Sequence, residues 1–211
     1  MTRMFVTRRE RPIVIFNVLY VACFSVIALG RRNYEFVLYT GVVIALGVWI
    51  LVKQRTVQFD RVILWGLSVW GVLHMAGGNM RVGGDMLYNV RIIPDYLRYD
   101  QFVHAFGFGT TTLVCFHLLR PYLRPNIERR RTLMVLVVLM GCGVGALNEI
   151  VEFITVKTVP ETNVGGYDNT LLDLVFNLIG ATIAAAWISR RRSFASKAAA
   201  LSPPDSCKPH E

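Results

Sequence analysis

Six residues in this chain combine a chemistry-bearing side chain with an improbable position: His74, Asp100, His104, Glu149, Glu152 and Asp173 all fall in or beside long apolar runs. Ionisable groups in such runs cost about 2.5–3.5 kcal/mol each on insertion scales, so they mark function by default. Imidazole with carboxylate suits a divalent ion such as zinc or manganese better than magnesium. Asp100 and His104 stand four residues apart and can supply two ligands from one helix face, or one ligand and the acid that orients it. His74 and Asp173 complete the candidate metal set, and Glu149 and Glu152 are the candidate general bases. Four carboxylates in a partly dehydrated space need a counter-charge, which could be shared protons, a metal ion, or Arg81, Arg91 and Arg98. Those arginines, with Asn148 and Asn177, are the candidate substrate-binding residues, the arginines suiting lipid phosphates.

Spacing gathers these residues. Asp100, His104, Gly107 and Thr111 form one helical stripe; Gly141, Gly145, Asn148 and Glu152 form a second, with Glu149 beside it; Asp173, Asn177, Gly180 and Ala184 form a third. Each stripe carries its acid at one end and small residues deeper, where membrane helices approach closely. The spacing predicts three helices facing one another around a polar pocket.

The elements that must hold this pocket are membrane spans. The chain has 211 residues, 54% hydrophobic and 18% charged, with a mean hydropathy of +0.44, which excludes an ordinary soluble domain. Roughly 20 apolar residues cross a bilayer core, and six segments qualify: Ile13–Leu29, Glu35–Val52, Arg61–Ala76, Gln101–Leu119, Thr132–Ile154 and Leu171–Ser189. The third is the shortest and ends in a Gly pair. The expected fold is an all-α six-transmembrane-helix bundle over residues 1–192, followed by a disordered cytoplasmic tail, 193–211. No segment alternates as a barrel strand would.

The formal charge of +9 divides unevenly across this topology. The N-terminus, the loops near residues 53–61 and 120–131, and the tail hold 17 basic residues and net +12; the opposite side holds 6 and nets −3. The positive-inside rule therefore places both termini in the cytoplasm of an inner or plasma membrane, and the acid and histidine cluster on the extracytoplasmic side. The basic excess is an orientation signal and needs no nucleic-acid partner; membrane lipids are the expected partners, and protein partners are left open. Cys23, Cys115 and Cys142 lie in spans and Cys207 in the tail, with neither disulfide nor metal-ligand spacing. His117 and the four tryptophans read as interfacial or packing residues, and His74 equally fits the headgroup level. The longest connection, Gly77–Tyr99, could lie on the membrane surface or cover the pocket as a lid.

Four strings resemble a known family: Leu73-His74-Met75-Ala76-Gly77-Gly78, Tyr99-Asp100-Gln101-Phe102-Val103-His104-Ala105-Phe106-Gly107-Phe108, Asn148-Glu149-Ile150-Val151-Glu152-Phe153, and Gly166 to Leu174 with Asp168 and Asp173. Their order and spacing are similar to those of the YjdF-like bacterial inner-membrane proteins, from the third span onward, with a looser likeness to VanZ-like membrane proteins. The chain departs from the family at Asn79-Met80, where His-Tyr often follows the Gly pair, and at Ala105, where Phe follows the motif histidine. The resemblance implies the architecture and the site, and carries no activity with it.

Three functions fit the residues. One is a metal-assisted enzyme acting on a lipid or lipid-linked substrate, with Glu149 or Glu152 as base. Another is an ion-coupled transporter, although polar residues do not continue through the inner halves of the last three spans. The third is a non-catalytic membrane component whose cluster fixes helix packing or docks a partner.

Overall fold

The computed structural model describes residues 7, 8, 10–123 and 130–200. Six long helices dominate it: α1 (Arg11–Gly30), α2 (Tyr34–Val57), α3 (Arg61–Asn79), α4 (Tyr99–Leu119), α5 (Arg130–Thr158) and α6 (Tyr167–Ala200). Local signals explain their ends. Pro12 opens α1, where a missing N–H costs nothing. Asn33 caps α2 by accepting the Phe36 N–H at 3.3 Å, and Gln58 ends it in the left-handed region at φ 53°.

Five of the six, α1, α2, α4, α5 and α6, are long and apolar enough to cross a membrane. The expected third span is the exception. Ser68, His74 and the Gly77-Gly78-Asn79 end dilute α3 below that standard, so the described residues offer five candidate spans rather than six. Aliphatic side chains stand exposed along α1 (Ile15, Val18, Leu19, Val26) and α5 (Val135, Leu136, Leu139, Leu147), a surface that belongs in lipid. The tail expectation also shifts. α6 continues past residue 192 to Ala200, as its alanines favour, while 201–211 lie outside the described residues, Cys207 and Lys208 among them. Arg3, Arg9, Arg124 and Arg129, part of the basic count, lie outside them as well.

α4, α5 and α6 pack on one another, α3 lies against α4 and α1, and α2 joins α1. Glycine makes the first group tight. A Cβ at Gly180 would collide with the Ala105 carbonyl of α4, one at Gly141 with Thr112, and one at Gly145 would sit 2.6 Å from Asn177 Nδ2. The small-residue stripes of α5 and α6 thus serve the contacts that spacing predicts. Gly107 does not: it makes room for the Trp70 indole on α3.

The connection between α3 and α4 corrects a purely helical reading. It holds two small antiparallel hairpins, β1 (Arg81–Val82) with β2 (Asp85–Met86), and β3 (Arg91–Ile93) with β4 (Leu97–Arg98), separated by a 3₁₀ turn at Leu87–Asn89. Gly83 and Gly84 turn the first hairpin at φ 62° and 95°, values that glycine adopts without strain. The 3₁₀ turn seats Tyr88 against α3. Gly77 is helical and bare because that ring occupies the space, with a Cβ there only 2.6 Å from Tyr88 Cε1; Gly78 admits Phe36 in the same way. The last carbonyls of α3, which have no partner within the helix, are satisfied from a distance, Gly78 O by Asn33 Nδ2 at 3.0 Å and Asn79 O by Arg31 Nη1 at 2.5 Å.

Candidate functional site

Alternating helix directions bring the ends near Tyr34, Asn79, Tyr99, Thr158 and Tyr167 to one end of the bundle. The six polar residues singled out by type and depth collect there, and His104 is their centre. Its ring is buried on α4 one turn below Asp100, with α5 and α6 presenting acids toward it. Nε2 lies 3.7 Å from Asp100 Oδ1 and 3.9 Å from Glu152 Oε1; Nδ1 lies 3.6 Å from Glu149 Oε1.

One contact sets the ring's chemistry. Nδ1 stands 3.1 Å from Asn177 Oδ1, an amide oxygen that can only accept. Nδ1–H therefore donates to Asn177 Oδ1, and Nε2 faces Asp100 and Glu152. This is the arrangement in which an imidazole ligates a metal through one nitrogen while an outer partner holds the other.

Two overlapping sets of ligand atoms result, Asp100 with His104 and Asp173, and His104 with Glu149 and Glu152. Within each set the atoms lie within 4.8 Å of one another. Amides order the acids. Asn169 Nδ2 donates to Asp173 Oδ2 at 2.6 Å and Asp100 Oδ2 at 3.2 Å, and Asn148 Nδ2 donates to Glu152 Oε1 at 2.8 Å. The remaining valences are open. Among the described residues, both carboxylate oxygens of Glu149, Asp173 Oδ1 and Asn177 Nδ2 have no hydrogen-bond partner, although Asp173 and Asn177 are 0% exposed and Glu149 only 8%. Buried polar atoms are normally paired, and a bundle that used these acids only to hold helices together would pair them.

Beside this cluster lies a cavity of about 360 Å³, reached by Asp100 and Glu152 and walled by α2, by the α3–α4 connection and by residues 163–169. Tyr88 forms part of the wall, its hydroxyl 2.6 Å from His74 Nδ1. Deep burial pushes that hydroxyl well above the ordinary tyrosine range, with Asp100 and Glu152 adding to the effect, so Tyr88 stays neutral. The α3–α4 connection thus supplies one wall of the cavity through Tyr88.

The structure sorts the remaining candidates. Arg98 lines the cavity, whereas Arg81 is exposed on β1 and Arg91 pairs with Asp95 at 2.6 Å in the open. His74 packs among Phe36, Tyr39 and Tyr88, apart from both ligand sets. Asn148 and Asn177 orient Glu152 and His104. His117 lies at the opposite end, its Nε2–H donating to Val57 O at 3.2 Å. Glu35, Tyr39, Tyr88, Asn163 and Asn169 belong to the site and were not among the candidates. Glu35 is buried at the start of α2 and accepts the Asn163 N–H at 2.7 Å, closing the far wall. Its position at the same end as the other acids was the available signal.

A family model described as "Predicted membrane protein (DUF2238)" matches residues 12–194. A protein from Thermotoga maritima described as "Uncharacterized protein" is 31% identical over 96 residues, 45% of this chain and 50% of that one. The chain thus spans about half the length of the curated relative it matches. No solved structure matches.

Proposed function

We propose, for a chain that belongs to this DUF2238 family of predicted membrane proteins, that the His104 cluster is a divalent-cation site serving a lipid or lipid-linked substrate. The observation that carries the reading is the set of unpartnered buried oxygens on Glu149 and Asp173, converging on an imidazole whose Nε2 is left free by Asn177. Zinc or manganese fits nitrogen with carboxylate ligands. Asp100, His104 and Asp173 would hold the ion, while Glu149 stands on the Nδ1 side of the ring. Bound there, the metal would polarise a carbonyl or phosphoryl oxygen or activate water. Glu152 both touches the cavity and is aligned by Asn148, which suits it to take up a proton from the attacking group. Arg98 lines the cavity and is suited to a headgroup phosphate.

The basic excess at the N-terminus and along α6 supports a reading with both termini cytoplasmic and the site on the extracytoplasmic face of an inner or plasma membrane, for which α3 would be the sixth span. The likeness to YjdF-like proteins rests on the strings that build this site, Asp100 to His104, Asn148 to Glu152 and Asp168 to Asp173. Elemental analysis of the purified protein tests the reading. About one equivalent of zinc or manganese should accompany the wild type and be lost in His104→Ala and Asp100→Ala. A folded wild type that retains no metal after reconstitution with either ion refutes it.

A further inference from the structure

The α2 side of the cavity has no part in holding the cation, yet it is built. Glu35 faces the space from the first turn of α2, its carboxylate fixed by the Asn163 N–H at 2.7 Å and by the Asn163 amide at 3.4 Å. One helical turn further on, Tyr39 lines the same space. It is 6% exposed, and its hydroxyl meets no group in hydrogen-bonding geometry among the described residues. The Tyr88 ring forms the neighbouring wall. A buried hydroxyl without a partner, beside a buried carboxylate and two aromatic rings, suits a group that donates hydrogen bonds and carries positive charge. The charges around the cavity agree: Glu35, Asp100, Glu152 and Asp168 face it against Arg98.

We propose that this cavity binds an ammonium group, seated between Glu35, Tyr39 and Tyr88, so that the substrate class is an amine, either in a lipid headgroup or free in solution. This deepens the reading of the His104 site, since it assigns a ligand to the same cavity, but it stands on different residues and fails separately. The free probe is ethanolamine, titrated calorimetrically into the purified full chain, with glycerol and inorganic phosphate as the neutral and anionic comparisons.

Ethanolamine should bind more tightly than either comparison. Glu35→Gln should weaken it at least about tenfold, the scale of one charge-assisted hydrogen bond. Tyr39→Phe removes a hydroxyl with no internal partner, so it should leave the fold intact and still weaken ethanolamine. Neither variant should change metal content. His104→Ala should lose the metal and keep the amine, and that result separates the two readings: no metal with intact amine binding refutes only the cation site. Glycerol or phosphate binding as tightly as ethanolamine, or unchanged ethanolamine affinity in both variants, overturns the ammonium site. Competition by nanodiscs containing phosphatidylethanolamine but not by phosphatidylglycerol discs assigns the amine to a lipid. Equal behaviour of the two discs, with ethanolamine still bound, assigns it to a soluble amine.

Discussion

Asn177 makes no contact that would itself reach a metal, yet its replacement should be felt there. Its Oδ1 is the acceptor 3.1 Å from His104 Nδ1, and its Nδ2 has no partner, so Asn177→Ala removes one hydrogen bond and strands no second group. Without that acceptor the imidazole can place its proton on either nitrogen, and only one choice leaves Nε2 free toward Asp100 and Glu152. Loss of such an outer partner lowers metal affinity by about 10–100-fold, which at the usual conversion is about 1.4–2.7 kcal/mol. The stability cost is separate and smaller, about 1 kcal/mol for a neutral hydrogen bond. Competition titration against a chelator of known affinity reads the first quantity, and thermal unfolding in the same detergent reads the second. Asn177→Asp keeps an acceptor at the same place and should restore most of the affinity. If Asn177→Ala is folded and holds zinc or manganese within about twofold of the wild type, the assignment of the Nδ1 proton is wrong, and the free Nε2 on which the cation site depends falls with it.

Two further outcomes follow from other parts of the molecule. Gly180→Ala should push α6 away from the Ala105 carbonyl and destabilise the bundle by about 1–3 kcal/mol, as overpacking does, whereas Gly143→Ala meets nothing within 4 Å and should be neutral or slightly stabilising; melting temperatures of the two variants in one detergent decide it. Glu10, ahead of α1, is held below its ordinary value of 4.5 chiefly by the Thr7 N–H, with Gln54 assisting. A depressed carboxylate contributes stability that is present above pH 4.5 and disappears as pH falls through the lowered value. Glu10→Gln should therefore lose that contribution at pH 7–8, match the wild type at the acid end, and so flatten the acid side of the stability profile; an unaltered acid limb in that variant contradicts it.

Much of the site can be read along the chain because its parts repeat with a helical period. Asp100 to His104, Glu149 to Glu152 and Asp173 to Asn177 each lie one turn apart, and alternating helix direction puts the three turns at one depth. What periodicity does not carry is rotation about each helix axis. His74 sits at the right depth but turns toward Phe36 and Tyr39, because Gly77 and Gly78 let aromatic rings crowd that face. The role of Asn177 depends on which ring nitrogen it meets, a matter of about an ångström that spacing does not resolve. Arg81 and Arg91 share the α3–α4 connection with Tyr88, and only the two hairpins decide that the tyrosine turns inward and those two arginines outward. Glu35 and Asn163 meet across 128 residues, beyond the reach of any local pattern.

That last pairing bears on how the protein is made. A ribosome delivers α2 to the membrane well before residue 163 has been synthesised, so Glu35 first meets the bilayer with its eventual partner still unborn. The wall it shares with Asn163 cannot close until α5 has been inserted and the chain has turned back toward α6. Site assembly is thus among the last events of biogenesis, and a chain arrested before the fifth helix would have its early helices in place while lacking both the far wall and Glu149, Glu152 and Asp173.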